Sequence, residues 1–130
     1  MQLSRYAVGS VGEEAFGFCQ AVRRGPHVAV SGSTGRDVDG RLVPGGAYAQ
    51  TRQAIENLQT ALAAVGGSLA DVIRTRVFIV DITEGEAVAR AHCEAFAHHP
   101  PASSLIGVNA LFEPDVLVQI EADAIIADGP

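Results

Sequence analysis

The sequence predicts an α+β fold in which a mixed β-sheet carries two helices packed on one of its faces. Two observations support it: the predicted elements follow the order strand, strand, strand, helix, strand, helix, strand, strand, and the longest helical segment has a single apolar stripe. The 130 residues suffice for one core, so we expect a single domain over residues 1–130. The other sheet face lacks cover, and self-association is the usual way to bury such a face.

The N-terminal third of the chain predicts three short strands. The first is expected at residues 6–8, and the next two at residues 16–22 and 27–31, joined by the turn-forming segment RRGP. Residues 31–46 are rich in Gly, Ser and Asp, which is typical of a loop. We therefore expect a hairpin and then a long loop before the first helix.

The first helix is the clearest element in the sequence. Its apolar residues recur at intervals of three and four, as in a helix with one buried face. They are Ala54, Ile55, Leu58, Ala61, Leu62 and Val65. The pair Gly66-Gly67 is predicted to end this helix. Ser68 and Asp71 resemble a capping box, so a single helical turn is expected to follow.

A strand and a second helix are predicted next. Residues 72–81 are rich in β-branched side chains, which favour a strand. Thr83 and Glu86 resemble a second capping box, which would open a helix that runs to about residue 97 and ends before two prolines. The predicted core stripe of this helix comprises Ala87, Val88, Ala91, Ala95 and Phe96.

Residues 102–108 and 116–126 predict the last two strands, and the final one alternates clearly. The apolar face of the final strand suits burial under the helices. It comprises Val116, Val118, Ile120, Ala122, Ala124 and Ile126. The opposite face is mixed. It comprises Leu117, Gln119, Glu121, Asp123 and Ile125.

Two interpretations of Glu121 and Asp123 remain open at this point. They line a cleft or a subunit seam, where a carboxylate among apolar neighbours is harder to ionise and suits acid/base chemistry. Alternatively, they are solvated acids of an edge strand, or they form ion pairs with Arg74 or Arg76, which share one face of their own strand. The pattern alone favours the second interpretation.

The composition excludes several functional classes. The net charge is −6, and the nine basic residues, all arginine, are scattered along the chain, so we expect no nucleic-acid partner. The absence of lysine excludes Schiff-base chemistry on a lysine. No window is long and apolar enough for a membrane span, so we expect a soluble cytoplasmic protein.

No metal site or phosphate loop is expected. Cys19 and Cys93 fit no metal or redox spacing and are expected to be free thiols. His92, His98 and His99 also lack convincing ligand spacing. The segment SGSTG at residues 31–35 offers backbone N–H groups to an anion but lacks the lysine and the spacing of a phosphate loop, so a plain turn is favoured.

Several segments together resemble the Rid family, the reactive intermediate deaminases or YjgF-like proteins. They are VSGSTG, AQTRQAIENLQTALAAVGGSLADVIRTRVFIVDI, EAF at residues 94–96, the Pro101-Ala102 strand start and VLVQIEADAII. The resemblance covers residues 18–127. It implies a chorismate-mutase-like fold, a homotrimer and small-molecule clefts between subunits, which agrees with the uncovered sheet face predicted above.

The resemblance also implies a chemistry. The well-known branch of the family hydrolyses enamines and imines to a keto acid and ammonia without a metal or organic cofactor. Its site glutamate, thought to position or activate water, corresponds to Glu121 as a catalytic residue here. Ser31 and Gly32 correspond to residues whose backbone N–H groups meet the substrate carboxylate.

Four other site positions depart from the family pattern. The arginine that clamps the substrate carboxylate is Ser103 here, which carries no charge. The usual cysteine is Leu105, the tyrosine of the first hairpin is Phe18, and the asparagine of the second helix is Arg90. Either Arg90 enters the cleft and replaces the missing charge, or the cleft no longer handles imines derived from amino acids.

Two functions therefore remain open. The first is a Rid-like enzyme that hydrolyses an imine or enamine other than the usual small imino acids, with Glu121 as the base. The second is a non-catalytic trimer that binds a metabolite or a partner protein. A ribonuclease, an activity sometimes attached to this family, is disfavoured by the acidic charge.

Overall fold

A computed structural model describes residues 3–127 and shows one six-stranded sheet. The strands are β1 (Leu3–Tyr6), β2 (Ala21–Arg24), β3 (His27–Ser33), β4 (Val72–Ile79), β5 (Ala102–Gly107) and β6 (Val118–Ile125). The helices are α1 (Val11–Phe16), α2 (Gly46–Ala64) and α3 (Gly85–Phe96), with short 3₁₀ turns at Leu69–Asp71 and Ile82–Glu84. None of the helices in the described chain is long and apolar enough to cross a membrane.

The sheet is mixed, as predicted. Its strand order is β1-β2-β3-β6-β4-β5, and β4 with β5 is its parallel pair. The last strand, β6, therefore lies in the middle of the sheet, between β3 and β4. Its burial alternates along the strand because one of its faces lies in the core and the other does not.

Helices α2 and α3 pack on one face of the sheet, which we call the covered face. The side chains of β6 that point to it, Val118, Ile120, Ala122 and Ala124, are all buried. The predicted stripe of α2 is buried against them from Ala54 to Val65. The α+β class and the two-helix layer are confirmed.

The second sheet face, which we call the open face, follows from the strand registers. Residues paired side by side across strands point to the same face. Those on the open face include Arg5, Val22, Ala29, Glu121, Asp123, Arg74, Arg76, Phe78 and Ile106. Several apolar side chains there are substantially exposed, among them Ile106 and Ile125.

The N-terminal predictions require two corrections. The first strand is Leu3–Tyr6 rather than residues 6–8, and the predicted strand 16–22 is wrong at its start. A short helix, α1, forms instead because Ser10 and Glu13 make a capping box in which each side chain meets the other's backbone N–H. Strand β2 begins only at Ala21.

The entry to the second predicted helix also differs. The box of Ser68 and Asp71 forms as predicted and opens a helical turn. The expected box of Thr83 and Glu86 does not start the next helix. Asp81 accepts hydrogen bonds from the Thr83 N–H at 3.0 Å and hydroxyl at 2.6 Å, so a 3₁₀ turn begins first and α3 starts at Gly85.

Candidate functional site

A β-bulge lies opposite Glu121. Between two regular pairs of β3 and β6, the single residue Glu121 faces two residues of β3, Ser31 and Gly32. Bulges re-aim side chains and are over-represented beside active sites. The fold thus brings together three of the residues that the sequence singled out.

The bulge has no room for a side chain at Gly32. A Cβ there would overlap the Gln119 side chain and come within 2.6 Å of its Cδ. Gln119 is the neighbour of Glu121 on the open face of β6, so the amide of this residue lies over the bulge. The glycine is therefore required by close approach of a side chain.

Phe18 and Ser31 line a surface depression of about 560 Å³ beside the bulge. Helix α1 contributes Glu13 and Glu14, and the open sheet face contributes Arg5. The Ser31 hydroxyl donates to the Cys19 carbonyl at 2.6 Å, and the Ser31 N–H donates to the Gln20 carbonyl at 2.8 Å. Ser31 is therefore engaged in holding the segment after α1 in place.

The two carboxylates of β6 have different partners. Asp123 forms an ion pair with Arg76, with 3.3 Å between Oδ2 and Nη1, as one of the two interpretations predicted. Glu121 is half-buried and has no hydrogen-bond or ion-pair partner among residues 3–127. Its carboxylate is thus available to a ligand or to water.

Ser103 and Leu105 point to the covered side of the edge strand β5. Ser103 pairs with Thr75 of β4 in parallel register, and the Thr75 side chain is fully buried under α3. The oxygen atoms Thr75 Oγ1 and Ser103 Oγ are 2.7 Å apart. Leu105 lies beside the first residue of α3, Gly85, at the same side of the strand.

His92 of α3 completes this contact. Its Nε2 is 2.8 Å from Thr75 Oγ1, and its ring packs against Phe96 with centroids 4.6 Å apart. Burial lowers the pKa of His92 from its ordinary 6.5, because desolvation disfavours the charged imidazolium. The imidazole is therefore neutral near neutral pH.

Arg90 lies elsewhere on the same helix. Its guanidinium carbon is 4.4 Å from the centroid of the Tyr48 ring of α2, and the Tyr48 hydroxyl donates to Glu94. Two residues two positions apart on a helix point about 200° apart around its axis. Since His92 faces the sheet, Arg90 faces away from Ser103 and does not replace the missing charge within one chain.

The predicted site residues thus fall into three groups. Glu121, Gly32, Ser31 and Phe18 lie on or beside the open face, whereas Ser103 and Leu105 point to the opposite side of the sheet. Arg90 lies on the outer surface of the helix pair. Ser103 and Glu121 are also separated by two strand spacings, about 10 Å. One chain alone does not join them.

The sequence left three contributing residues unassigned. Thr75 was detectable, since alternation along β4 places it with Val77 and Ile79 on the buried face, where a hydroxyl requires a partner. Glu13 was detectable through its Ser10-x-x-Glu13 spacing. The position of His92 against Thr75 depends on helix docking, which no local pattern encodes. Among the described residues, no three His, Cys, Asp or Glu side chains group in a way that could hold a metal.

Comparison with known proteins identifies the family. The family model described as Endoribonuclease L-PSP matches residues 12–126. The chain belongs to this family. The resemblance to the Rid and YjgF-like proteins is confirmed, since the solved structure of Rv2704 from Mycobacterium tuberculosis is described as a member of the YjgF/YER057c/UK114 family. It is 40% identical, with a TM-score of 0.87 over 96% of this chain and 100% of that chain.

Two relatives in this Rid and YjgF-like family differ in what their names say about activity. The 2-iminobutanoate/2-iminopropanoate deaminase of Rattus norvegicus is 34% identical over 114 residues, which are 87% of this chain and 81% of that protein. An uncharacterized protein of Streptomyces coelicolor is 38% identical over 120 residues, 92% of this chain and 90% of that protein. The family therefore includes both named imine deaminases and members without a named activity.

Proposed function

We propose that this chain hydrolyses an imine or enamine to a carbonyl compound and ammonia, in a cleft between subunits. The observation that carries the proposal is the unpaired, half-buried Glu121 opposite the Ser31-Gly32 bulge. Relatives named as imine deaminases support the reaction class. The reaction requires water and an acid/base group, and the proposal includes no metal or organic cofactor.

The proposed cleft needs two copies of the chain. Ser103 and Leu105 occupy family site positions but point away from Glu121 in the same chain. A neighbouring copy that packs its β5 edge against the open face would bring the two groups together. Partly exposed apolar residues such as Ile106 and Ile125 on the open face support such packing. By resemblance to the family, we propose a homotrimer.

Glu121 has the proposed role of general base. It takes a proton from water as the water oxygen attacks the imine carbon, which gives a tetrahedral carbinolamine. The same carboxyl group then returns this proton to the nitrogen. It next takes the hydroxyl proton of the carbinolamine and passes it to the nitrogen as the carbon–nitrogen bond breaks, so a carbonyl compound and ammonia are released. Phe18 supplies an apolar wall and the Gly32 backbone orients the ligand.

The imine assay tests this role. An amino-acid oxidase generates imines in place from a panel of amino acids, and semicarbazide traps what remains. We expect faster imine loss with the protein, reduced at least tenfold in Glu121→Gln, which keeps the shape but removes the base. Asp123→Asn is the matched control, one step along the same face. Equal turnover by Glu121→Gln and the wild type contradicts the role.

Light scattering after size exclusion tests the assembly. We expect three chains per particle, and dissociation on Ile106→Asp, because a charge on the open face opposes packing of an apolar edge. Ala89→Asp, on the exposed side of α3, is the control and leaves the particle mass unchanged. A monomeric wild type at assay concentration contradicts the cleft between subunits.

A second candidate function is a non-catalytic trimer that binds a metabolite or a partner protein. The specific observation that favours it is the serine at position 103, because a serine hydroxyl is uncharged and forms no ion pair with a substrate carboxylate. The two functions differ in the assay: a compound that raises the melting temperature without being consumed supports binding alone.

The proposal places the protein in the cytoplasm and without a nucleic-acid partner. Both cysteines are free thiols, which suits a reducing compartment. The family description names an endoribonuclease, yet the net charge of −6 disfavours binding of a polyanion. Incubation with labelled single-stranded RNA at low salt is expected to leave the RNA intact.

A further inference from the structure

A continuous chain of hydrogen-bonding groups connects the exposed edge strand β5 to the interior. Ser103 is exposed, Thr75 is fully buried, and His92 is half-buried. The two contacts measure 2.7 Å between Ser103 Oγ and Thr75 Oγ1, and 2.8 Å between Thr75 Oγ1 and His92 Nε2. Both are in the range of normal O–H···O and O–H···N hydrogen bonds.

The single Thr75 hydroxyl proton allows two directions for this chain. In the first, Ser103 donates to Thr75 and Thr75 donates to His92 Nε2, so the proton of the neutral imidazole is on Nδ1. In the second, His92 Nε2–H donates to Thr75 and Thr75 donates to Ser103. The Ser103 proton is then free to point outward. The direction thus decides whether Ser103 offers a ligand a lone pair or a proton.

We propose that Ser103, Thr75 and His92 form a proton relay, with Ser103 as the ligand-contacting hydroxyl and His92 as the internal proton carrier. The ligand class that fits its outward O–H is a neutral acceptor, an imine nitrogen or a carbonyl oxygen without an adjacent carboxylate. The relay itself stands on the geometry of one chain. Its contact with a ligand rests on the proposed function, which places Ser103 in the cleft.

The transfer step is balanced. Protonated His92 gives its Nε2 proton to Thr75, Thr75 gives its hydroxyl proton to Ser103, and Ser103 gives its own proton to the ligand nitrogen or oxygen. Three protons move by one bond each, and both hydroxyls are restored. His92 ends as the neutral Nδ1–H tautomer, which is the partner that the first direction requires.

The surroundings of His92 suit this role. Its contacts are Thr75 on β4, Ser103 beyond it on β5, and Phe96 on its own helix. Within residues 3–127, His92 forms no ion pair, so no charged partner fixes its protonation state. Burial lowers its pKa, so the neutral imidazole is the resting, proton-accepting form near pH 7, and the protonated form, favoured as pH falls, is the one that donates to the relay.

Nitrogen NMR of the intact protein tests the relay without a ligand. The ¹⁵N position of His92 Nε2 reports whether that atom carries a proton. We expect Thr75→Val, which removes only the hydroxyl from the chain, and Ser103→Ala both to change the tautomer balance and the titration midpoint of His92. His98→Gln, an exposed residue beyond the end of α3, is the control. A His92 titration unchanged in Ser103→Ala overturns the relay.

A second arm tests the ligand class with two probes of similar shape, methyl pyruvate and pyruvate. We expect methyl pyruvate to shift His92 toward the Nε2–H tautomer in the wild type, whereas pyruvate does so less. Ser103→Ala abolishes the response. Ser103→Arg reverses the preference, because guanidinium pairs with a carboxylate. Equal responses to both probes, or none, overturn the ligand assignment.

His92→Gln separates a proton carrier from a structural contact. Glutamine keeps a hydrogen-bonding group at this position but does not ionise, so methyl pyruvate binding to the variant should become independent of pH between 5 and 8. Binding that remains pH-dependent in the variant overturns the role of His92. If the protein hydrolyses no imine but the titration of His92 still responds to Ser103→Ala, the relay stands and only the proposed function fails. Imine hydrolysis that Ser103→Ala leaves unchanged overturns the contact of Ser103 with the ligand.

Discussion

The two faces of the central strand β6 share one backbone but carry different kinds of side chain. On the covered face, Val118 and Ile120 are 0% exposed and have only apolar roles. On the open face, Gln119 lies over a bulge, Glu121 faces that bulge, and Asp123 pairs with Arg76. Consecutive residues of this strand point to opposite faces, so each core side chain is followed by one on the side of the candidate site.

This difference shows that the covered face sets stability and the open face carries interactions still to be satisfied. Among the described residues, every buried side-chain nitrogen or oxygen has a hydrogen-bond partner. Thr75 is the polar exception on the covered face of β4, and its hydroxyl has two partners. Glu121, on the open face, has none within residues 3–127. Polar groups are thus satisfied inside, whereas the Glu121 carboxylate is left open where association or ligand binding is proposed.

The largest expected effect comes from the covered face. Ile120→Ala removes a fully buried side chain and should lower the free energy of unfolding by about 2–5 kcal/mol. Ile125→Ala is the matched variant on the open face of the same strand, where the residue is 42% exposed, and should cost about 0.5 kcal/mol. Urea unfolding of both variants measures the difference.

The same pair tests whether the open face is buried by a neighbouring copy. If a subunit covers it, the cost of Ile125→Ala should grow as protein concentration rises, because association couples to folding. The cost of Ile120→Ala relative to the wild type should change little. Equal costs for the two variants at every concentration would break the distinction between the faces.

The β-bulge at Ser31-Gly32 should give the next largest effect on stability. Gly32→Ala introduces a Cβ into the Gln119 side chain and should destabilise the protein by about 1–3 kcal/mol. Gly12→Ala is the control, since a Cβ there meets no atom within 4 Å. In a Gln119→Ala background the cost of Gly32→Ala should fall to near that of the control. An undiminished cost would mean that the backbone of the bulge, rather than Gln119, excludes the side chain.

The sequence predicted the covered face more reliably than the open one. The spacing of apolar residues predicted α2 and the buried positions of β6, because burial of one face makes apolar residues recur at a regular interval in the sequence. The single domain and the residue roles in the site stay predictions. The bulge at Ser31-Gly32 was not predicted, since it depends on pairing between β3 and β6, which are distant in sequence.

The failures in local structure have a different cause. Phe and Val favour a strand over residues 16–22, yet Ser10 and Glu13 nucleate a helix that ends at Phe16. The sequence leaves open whether Arg90 enters the cleft, because the direction of its side chain from α3 depends on how that helix docks on the sheet. Short-range competition explains the wrong strand start, and the dependence on tertiary packing explains why the role of Arg90 stays a prediction.

Helix α1, beside the open face, should give a smaller and pH-dependent effect. Burial raises the pKa of Glu13, but hydrogen bonds from the N–H groups of Ser10 and Val8 outweigh it and leave the pKa lowered from its ordinary 4.5. The stabilisation is therefore present above pH 4.5 and is lost as pH falls through the lower folded value. Glu13→Gln should flatten the pH dependence of the melting temperature in that range, whereas Glu14→Gln, an exposed neighbour, should not. A dependence identical to the wild type would contradict the role of Glu13.

The ion pair between Arg76 and Asp123 gives the smallest expected effect and the most sensitive test of the open face. Both side chains are partly solvated, so Asp123→Asn in a single chain should change stability by about 0–1 kcal/mol, less at high salt. If a neighbouring subunit excludes water from this face, breaking the pair leaves Arg76 buried without a partner and the cost should rise to several kcal/mol. Measuring Asp123→Asn and the double variant with Arg76→Met at two salt concentrations separates these cases. A salt-sensitive cost below 1 kcal/mol indicates a solvated face, and a salt-insensitive cost relieved by Arg76→Met indicates a covered one.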